Sequence, residues 1–175
     1  MAWNEFRRYR PTSSRFDHQP RPPRLHNTRR VAYATHGGNA FAAAIAEYFQ
    51  DANGGVGPVD TRHHVPYSSA FTFTDSVRLL GLDSGWITRA GGNRAITSGP
   101  RGRSRAWARA IYAAYSDLAG LAYQSSVWGP GQCVVLWDRC EHLLPAGPTA
   151  SRALNDPLLG KAIADATNTL GTYPI

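Results

Sequence analysis

Apolar and polar residues alternate along the chain in a way that predicts a short series of elements. Residues 30–35, Arg-Val-Ala-Tyr-Ala-Thr, predict a strand that Gly37 and Gly38 stop. Asn39 suits an N-cap for a helix reaching about Gln50. Its Phe41, Ala44, Ile45, Tyr48 and Phe49 fall at i, i+3, i+4, i+7 and i+8, which is one helical face. Residues 51–68 carry Gly54, Gly55, Gly57, Pro58 and Pro66 and predict a loop. Strands are expected near 69–74 and 76–82, a brief helix around 84–90, and a Gly/Ser/Arg loop over 91–102. A helix at about 103–116 lines up Ala106, Trp107, Ala110, Ile111 and Ala114. Gly120 to Ser125 and Gln132 to Trp137 predict strands, the second nearly all apolar and therefore central. A helix over roughly 157–170 closes the list. Mixed short strands and helices, with no repeat, predict one α+β domain.

Composition supports a folded globule. The chain has 175 residues, 42% hydrophobic, with 5 Trp, 8 Tyr and 6 Phe, enough for one packed core. No run of 18 apolar residues occurs, so no membrane helix is expected. The opening residues are polar and arginine-rich, unlike a secretory signal, so a cytoplasmic location is expected. Cys133 and Cys140 lie in an apolar stretch and read as buried thiols rather than a disulfide or metal pair. The six His residues, His63-His64 included, form no ligand pattern.

Charge is uneven. The net charge is +7, and residues 1–30 carry eight Arg against Glu5 and Asp17. Residues 31–175 carry eleven basic and ten acidic residues, so they are nearly neutral. The picture is a basic, Pro-rich segment over 1–30 attached to a balanced body. Of 19 basic residues only Lys161 is not Arg. Guanidinium forks suit phosphate and carboxylate, although a coding bias would produce the same excess.

Four residues stand out chemically, each with a plain structural alternative. Glu47 flanks the apolar stripe of its helix, with Ala43, Ala44 and Ala40 on the preceding turns. Small neighbours leave room for a ligand beside the carboxylate; the alternative is a solvated helix glutamate. Tyr33 sits between Ala32 and Ala34, either stacking on an aromatic ligand or filling a core. Arg15, in Ser-Ser-Arg-Phe-Asp-His, either clamps a pyrophosphate or is one more exposed arginine; Asp17 and His18 are candidates for a network around it. Ser125 ends a strand before the Gly129-Pro130-Gly131 turn, either at a ligand or capping the turn.

Together these residues resemble the RES-domain family, named for an Arg, a Glu and a Ser. The family pattern is a Gly-Arg-aromatic step, a strand with a central Tyr, a small-residue helix ending in Ala-x-x-Glu, and Gly-x-x-Tyr-x-Ser on a later strand. The matching stretches are Ser14-Arg15-Phe16, Val31-Ala32-Tyr33, Ala44-Ile45-Ala46-Glu47 and Gly120-Leu121-Ala122-Tyr123-Gln124-Ser125. Arg109-Ala110-Ile111-Tyr112 and Val134-Val135-Leu136 are similar too. The resemblance spans roughly residues 13 to 145, and the domain is expected over 13–175. It implies a fold like that of ADP-ribosyltransferases, and a bacterial toxin that consumes NAD or ADP-ribosylates a protein. It also implies a helix-turn-helix antitoxin as partner and NAD as substrate, with no resident cofactor or metal.

Carried over, Arg15 would hold the NAD phosphates, Tyr33 would pack on the nicotinamide side, and Glu47 would bond a ribose hydroxyl. Ser125 would orient the nicotinamide ribose or carboxamide, and Tyr123 and Ser126 would complete the NAD-binding set. The sequence departs from the pattern in two places. Ser14 replaces the glycine before the arginine. The family's first Arg lies on a strand well upstream, whereas Arg15 follows Met1 by only 14 positions. The expectation is that this strand does not exist here, so that either the start is missing or Arg7, Arg8 or Arg10 substitutes. The implied activity is cleavage of the nicotinamide–ribose bond by water or phosphate. The alternatives are transfer to a protein side chain, an inactive domain that binds an antitoxin or nucleotide, and a nucleic-acid-binding arginine arm. No helix-turn-helix, zinc finger or RNP-like aromatic pair supports the last.

Overall fold

The computed structural model describes residues 3–9 and 14–175. In chain order these form β1 (Val31–His36), α1 (Ala40–Tyr48), β2 (Tyr67–Ala70), β3 (Leu79–Gly81), α2 (Trp86–Arg89), α3 (Ala95–Ser98), α4 (Arg101–Ala114), β4 (Gly120–Gln124), β5 (Gln132–Trp137), β6 (Ala150–Ala153) and α5 (Gly160–Leu170). Short 3-10 turns span Asp138–Leu143 and Pro157–Leu159. The architecture is α+β in a single domain, as the pattern predicts.

Among the described residues, the main sheet has the order β1-β5-β4-β3. β5 runs antiparallel to both β1 and β4, while β3 and β4 are parallel. Parallel neighbours need a long crossover, and residues 82–119 supply it with α2, α3 and α4. The position of β5 follows from its sequence. Cys133 to Trp137 are all buried, which only a strand covered on both faces allows. Alternation then divides the core. Leu121, Tyr123, Cys133, Val135 and Trp137 face Phe16, Ile87, Ile96 and the Ala108/Ile111 side of α4. Val134 and Leu136 face Phe6, Cys140, Phe71 and Phe73. A smaller cluster joins Ala42 and Ile45 of α1 to Ile163 and Ala166 of α5.

Gly120 has a packing reason for being glycine. A Cβ there would lie 2.0 Å from the backbone oxygen of Val135 on the paired strand. Gly120→Ala should therefore push β4 off β5 and cost about 3 kcal/mol, the upper part of the usual range for overpacking. Denaturant unfolding would measure it; an unchanged midpoint would mean the strand pair yields more easily than the geometry says.

Several expectations are corrected. Asn39 makes no side-chain cap; the Thr35 hydroxyl instead donates to the Ala40 carbonyl at 2.6 Å. Tyr48 lies outside, 62% exposed, and α1 buries Ala42, Ala43, Ile45 and Ala46. Two packed layers meet this helix, so its buried surface is wider than one stripe. The strand expected over 69–74 is displaced to β2, which pairs with β6 in a separate two-stranded sheet. The loop expected over 91–102 contains α3, and α4 starts at Arg101. The expected helix from 157 begins as a 3-10 turn capped by Asp156, whose carboxylate accepts from the Leu158 N–H at 2.9 Å.

Among the described residues no strand precedes β1. Arg7 makes an isolated bridge to Val31 through reciprocal backbone bonds of 2.8 and 3.1 Å, beside β1. Of the three candidate substitutes, Arg7 makes this bridge. Arg8 is exposed beside it, and Arg10 lies outside the described residues.

Candidate active site

β1, β5 and β4 bring Thr35, Cys133 and Tyr123 into one row across the sheet. Since strand side chains alternate, Tyr33 lies on this same face. β4 ends one residue before Ser125, whose N–H donates to the Gly131 carbonyl at 2.8 Å and closes the 125–131 turn. α1 packs directly onto that turn. A Cβ on Gly131 would lie 2.9 Å from the Ala43 methyl, and Ala43 and Ala46 are fully buried. The small residues of α1 thus let the helix approach closely enough for Glu47 to reach the end of β4.

There the Ser125 hydroxyl donates to Glu47 Oε1 at 2.6 Å. Its oxygen accepts the Val127 and Trp128 N–H groups at 3.1 and 3.0 Å. Ser125 is only 6% exposed. It caps the turn and holds the carboxylate at once, so the two sequence readings of Ser125 are not exclusive. The Cys133 thiol also donates to Glu47 Oε1, at 3.7 Å. Among the described residues no side chain bonds Oε2, which leaves that oxygen for a ligand hydroxyl. Burial pushes the Cys133 thiol up to about 12, with the Glu47 charge and hydrogen bond adding to it. Cys133 is therefore a protonated donor rather than a nucleophile.

Arg15 is held by the segment that leads into α4. Its Nη1 donates to the Gly99 carbonyl at 2.5 Å, with the Ser104 hydroxyl at 3.4 Å. Ser104 is fully buried and donates to the Ile96 carbonyl at 2.6 Å. Burial lowers the Arg15 pKa and Arg101 lowers it further, while Tyr123 and Glu47 act in the opposite sense. Tyr123 packs on Phe16 with ring centres 4.6 Å apart. Its phenol is held well above its ordinary pKa by burial first, then by Cys133 and Glu47. Ser126 is exposed on the turn and is not joined to this cluster.

Tyr33 belongs to a second cluster that sequence reasoning missed. Its hydroxyl donates to Asp17 Oδ1 at 2.9 Å. Arg7 grips the same carboxylate through Nη1 at 3.1 Å and Nη2 at 2.5 Å, and Asp17 is fully buried. The Tyr33 ring keeps 38% of its surface exposed while its hydroxyl end is enclosed, and burial followed by the Asp17 charge raises its pKa well above 10. The ring is thus anchored at its hydroxyl and lies under the Arg7 guanidinium, 5.9 Å from the ring centre, on the sheet side that carries Tyr123. The expected network of Asp17 and His18 around Arg15 does not form. Asp17 serves Arg7 and Tyr33, and His18 stacks on Tyr112 with ring centres 4.3 Å apart. Burial, aided by Arg29, Arg139 and His26, pushes the His18 pKa down to about 3, so it is neutral packing. A sequence signal did exist, since Arg7 and Asp17 flank the candidate Arg15, but nothing in their spacing indicates that they pair.

Both cysteines are free and buried. Among the described residues no group of three His, Cys, Asp or Glu side chains could hold a metal ion, and no helix is long and apolar enough to cross a membrane.

Comparison with known proteins gives the family. A family model described as the RES domain matches residues 2–155. No curated protein and no solved structure matches the chain. The family match takes in Arg7, Arg15, Tyr33, Glu47 and Ser125 and covers most of the sequence, and the chain belongs to the RES-domain family.

Proposed function

We propose that this chain binds NAD and breaks its nicotinamide–ribose bond, acting as the toxin of a toxin–antitoxin pair. The observation that carries the reading is the 2.6 Å bond from Ser125 to Glu47. NAD is the substrate, and the reading needs no resident cofactor or metal. The partner in this reading is a helix-turn-helix antitoxin, and the setting is the cytoplasm.

The chemistry follows from charge. Nicotinamide leaves NAD as a neutral molecule from a cationic state, so no general acid is required. The barrier lies in positive charge developing on the ribose, which carboxylates stabilise, as in glycosidases. Glu47 acts on that charge through a ribose hydroxyl and directly through its field. Ser125 works through Glu47, because its proton is committed to Oε1 and its oxygen to two backbone N–H groups. A carboxylate held in this way need not reorganise as the charge appears. Arg15, with Arg101 beside it, binds the pyrophosphate. Tyr33 offers its ring to the nicotinamide side.

The test is to incubate the purified chain with NAD, with and without inorganic phosphate, and identify the products by mass. ADP-ribose marks water as acceptor, a phosphorylated ADP-ribose marks phosphate, and a mass increment on protein marks transfer to a side chain. Undiminished NAD under all conditions overturns the reading. Arg15→Ala should weaken NAD binding by about 10- to 100-fold, the loss expected for a charge-assisted contact. Calorimetric titration reads this directly, and an unchanged affinity would remove Arg15 from phosphate binding.

A further inference from the structure

The chain ahead of β1 contains a buried run where loops are ordinarily exposed. Phe16, Asp17, His18 and Gln19 are all fully buried, although they belong to no helix or strand. Among the described residues, no bond between two main-chain groups holds positions 15–19. The ties run through side chains instead. Arg15 donates to the Gly99 carbonyl, and Asp17 binds Arg7 and Tyr33. Gln19 Nε2 donates to the Arg7 carbonyl at 3.2 Å, and Arg29 Nη1 donates to the His18 carbonyl at 3.3 Å. The segment is a strap fastened by side chains, not a strand built into the sheet.

His18 makes this strap sensitive to protons. Both its ring nitrogens are buried without a hydrogen-bond partner. The ring stacks on Tyr112 of α4 at 4.3 Å and lies 5.3 Å from Trp137 of β5. From the 3-10 turn after β5, the Arg139 guanidinium lies 3.8 Å over the same Tyr112 ring. The carbonyls of Tyr112, Tyr115 and Leu118 pin it there, so it does not swing away from a new charge. From the chain before β1, Arg29 and His26 act on His18 in the same sense as Arg139. Carboxylates do not offset them. Asp17 is bound to Arg7 and Tyr33. Asp138 Oδ1 stands 4.0 Å from His18 Nε2 and already accepts the Tyr112 hydroxyl at 3.3 Å. Burial raises the Asp138 pKa, so its charge also fades as the pH falls.

We propose that Phe16–Gln19 is an acid-sensitive latch, in which proton uptake by His18 releases the strap and draws Arg15 and Asp17 out of place. A charged imidazole at this position has neither water nor an acceptor and faces fixed guanidinium groups, whereas outside the fold it is hydrated. The closed strap takes up the proton only at about 3, against 6.5 for a free ring. The stability contributed by the neutral ring is therefore complete above pH 6.5 and is lost as the pH falls below it. The strap opens alone, because β1, β4 and β5 are held by their own main-chain ladders. The latch does not depend on the NAD reading.

The full chain is digested with thermolysin at pH 7.5 and pH 5.5, and mass spectrometry identifies each cut. Rates are divided by those of free peptides of the same sequence. Cleavage between Arg15 and the buried Phe16 reports strap opening, and cleavage before Leu121 or Val135 reports unfolding of the sheet. In wild type, strap cleavage should rise about tenfold from pH 7.5 to pH 5.5 with sheet cleavage unchanged. In His18→Phe, which keeps an aromatic ring against Tyr112, that rise should be lost. An equal rise in both proteins, no rise in wild type, or sheet cleavage that rises with strap cleavage overturns the latch. If circular dichroism shows that His18→Phe does not fold, an NMR titration of the wild-type His18 ring decides. A ring that stays neutral in the closed state at pH 5.5 while signals of a released strap grow supports the latch, and a closed-state ring that titrates near pH 6.5 overturns it.

Discussion

Replacing Glu47 by glutamine should reduce nicotinamide release by about 100- to 1,000-fold, equivalent to about 2.7–4 kcal/mol of transition-state stabilisation. The change is nearly isosteric. An amide oxygen can still accept the Ser125 proton that Oε1 accepts now at 2.6 Å. What disappears is the negative charge that the proposed reaction sets against the ribose. The loss should therefore fall on kcat, with the KM for NAD and the melting temperature close to wild type. The companion change Ser125→Ala should cost less, because the charge remains and only its orientation relaxes. Equal rates of nicotinamide release by wild type and Glu47→Gln would remove the carboxylate from the mechanism. A lost fold would show in the circular dichroism spectrum and separate a structural effect from a chemical one.

Replacing Arg7 by alanine should destabilise the domain by about 3–5 kcal/mol, the usual cost of leaving a buried charge without its partner. For a domain of this length that corresponds to a melting temperature lower by roughly 10 °C. The argument rests on burial. Asp17 is fully buried, Arg7 binds both its oxygens, and Tyr33 donates to one of them. Exposed ion pairs such as Lys161–Asp165 contribute far less, because water screens them. Combining Arg7→Ala with Asp17→Asn should recover much of the loss, since the buried charge is then gone. An Arg7→Ala melting curve that overlays wild type would contradict this account. The same variant loosens the Asp17 carboxylate to which the Tyr33 hydroxyl is bonded, so NAD binding should weaken as well if that ring packs on the nicotinamide.

Particular elements explain which parts of the fold were legible. β5 was plain because five consecutive buried positions leave an unbroken apolar run. α4 was found as a helix, but its face was misplaced: Ala106, Ala110 and Ala114 are exposed, and Ser104, Ala108 and Ile111 are the buried positions. β6 left no trace. Its residues Ala-Ser-Arg-Ala are mostly exposed, and only backbone pairing with Tyr67–Ala70 makes them a strand. Backbone pairing does not depend on side-chain pattern, so no periodicity announces it. The α1 face was misjudged for a related reason: alanines count weakly as apolar, yet here they are the closest packed positions.

For the candidate site, the residue types and their order along the chain were enough to mark Arg15, Tyr33, Glu47 and Ser125 and to place the chain in its family. Chemistry of that kind is carried by local identity, and local identity is written in the order of residues. The partnerships depended on folding. Ser125 meets Glu47 across 78 positions, Arg15 meets Gly99 across 84, and a buried Asp17 ties Arg7 to Tyr33. Such contacts arise from sheet register, the close approach of α1 to the 125–131 turn and the crossover that carries residues 82–119. Each is a property of how distant segments stack, and spacing along the chain does not encode it.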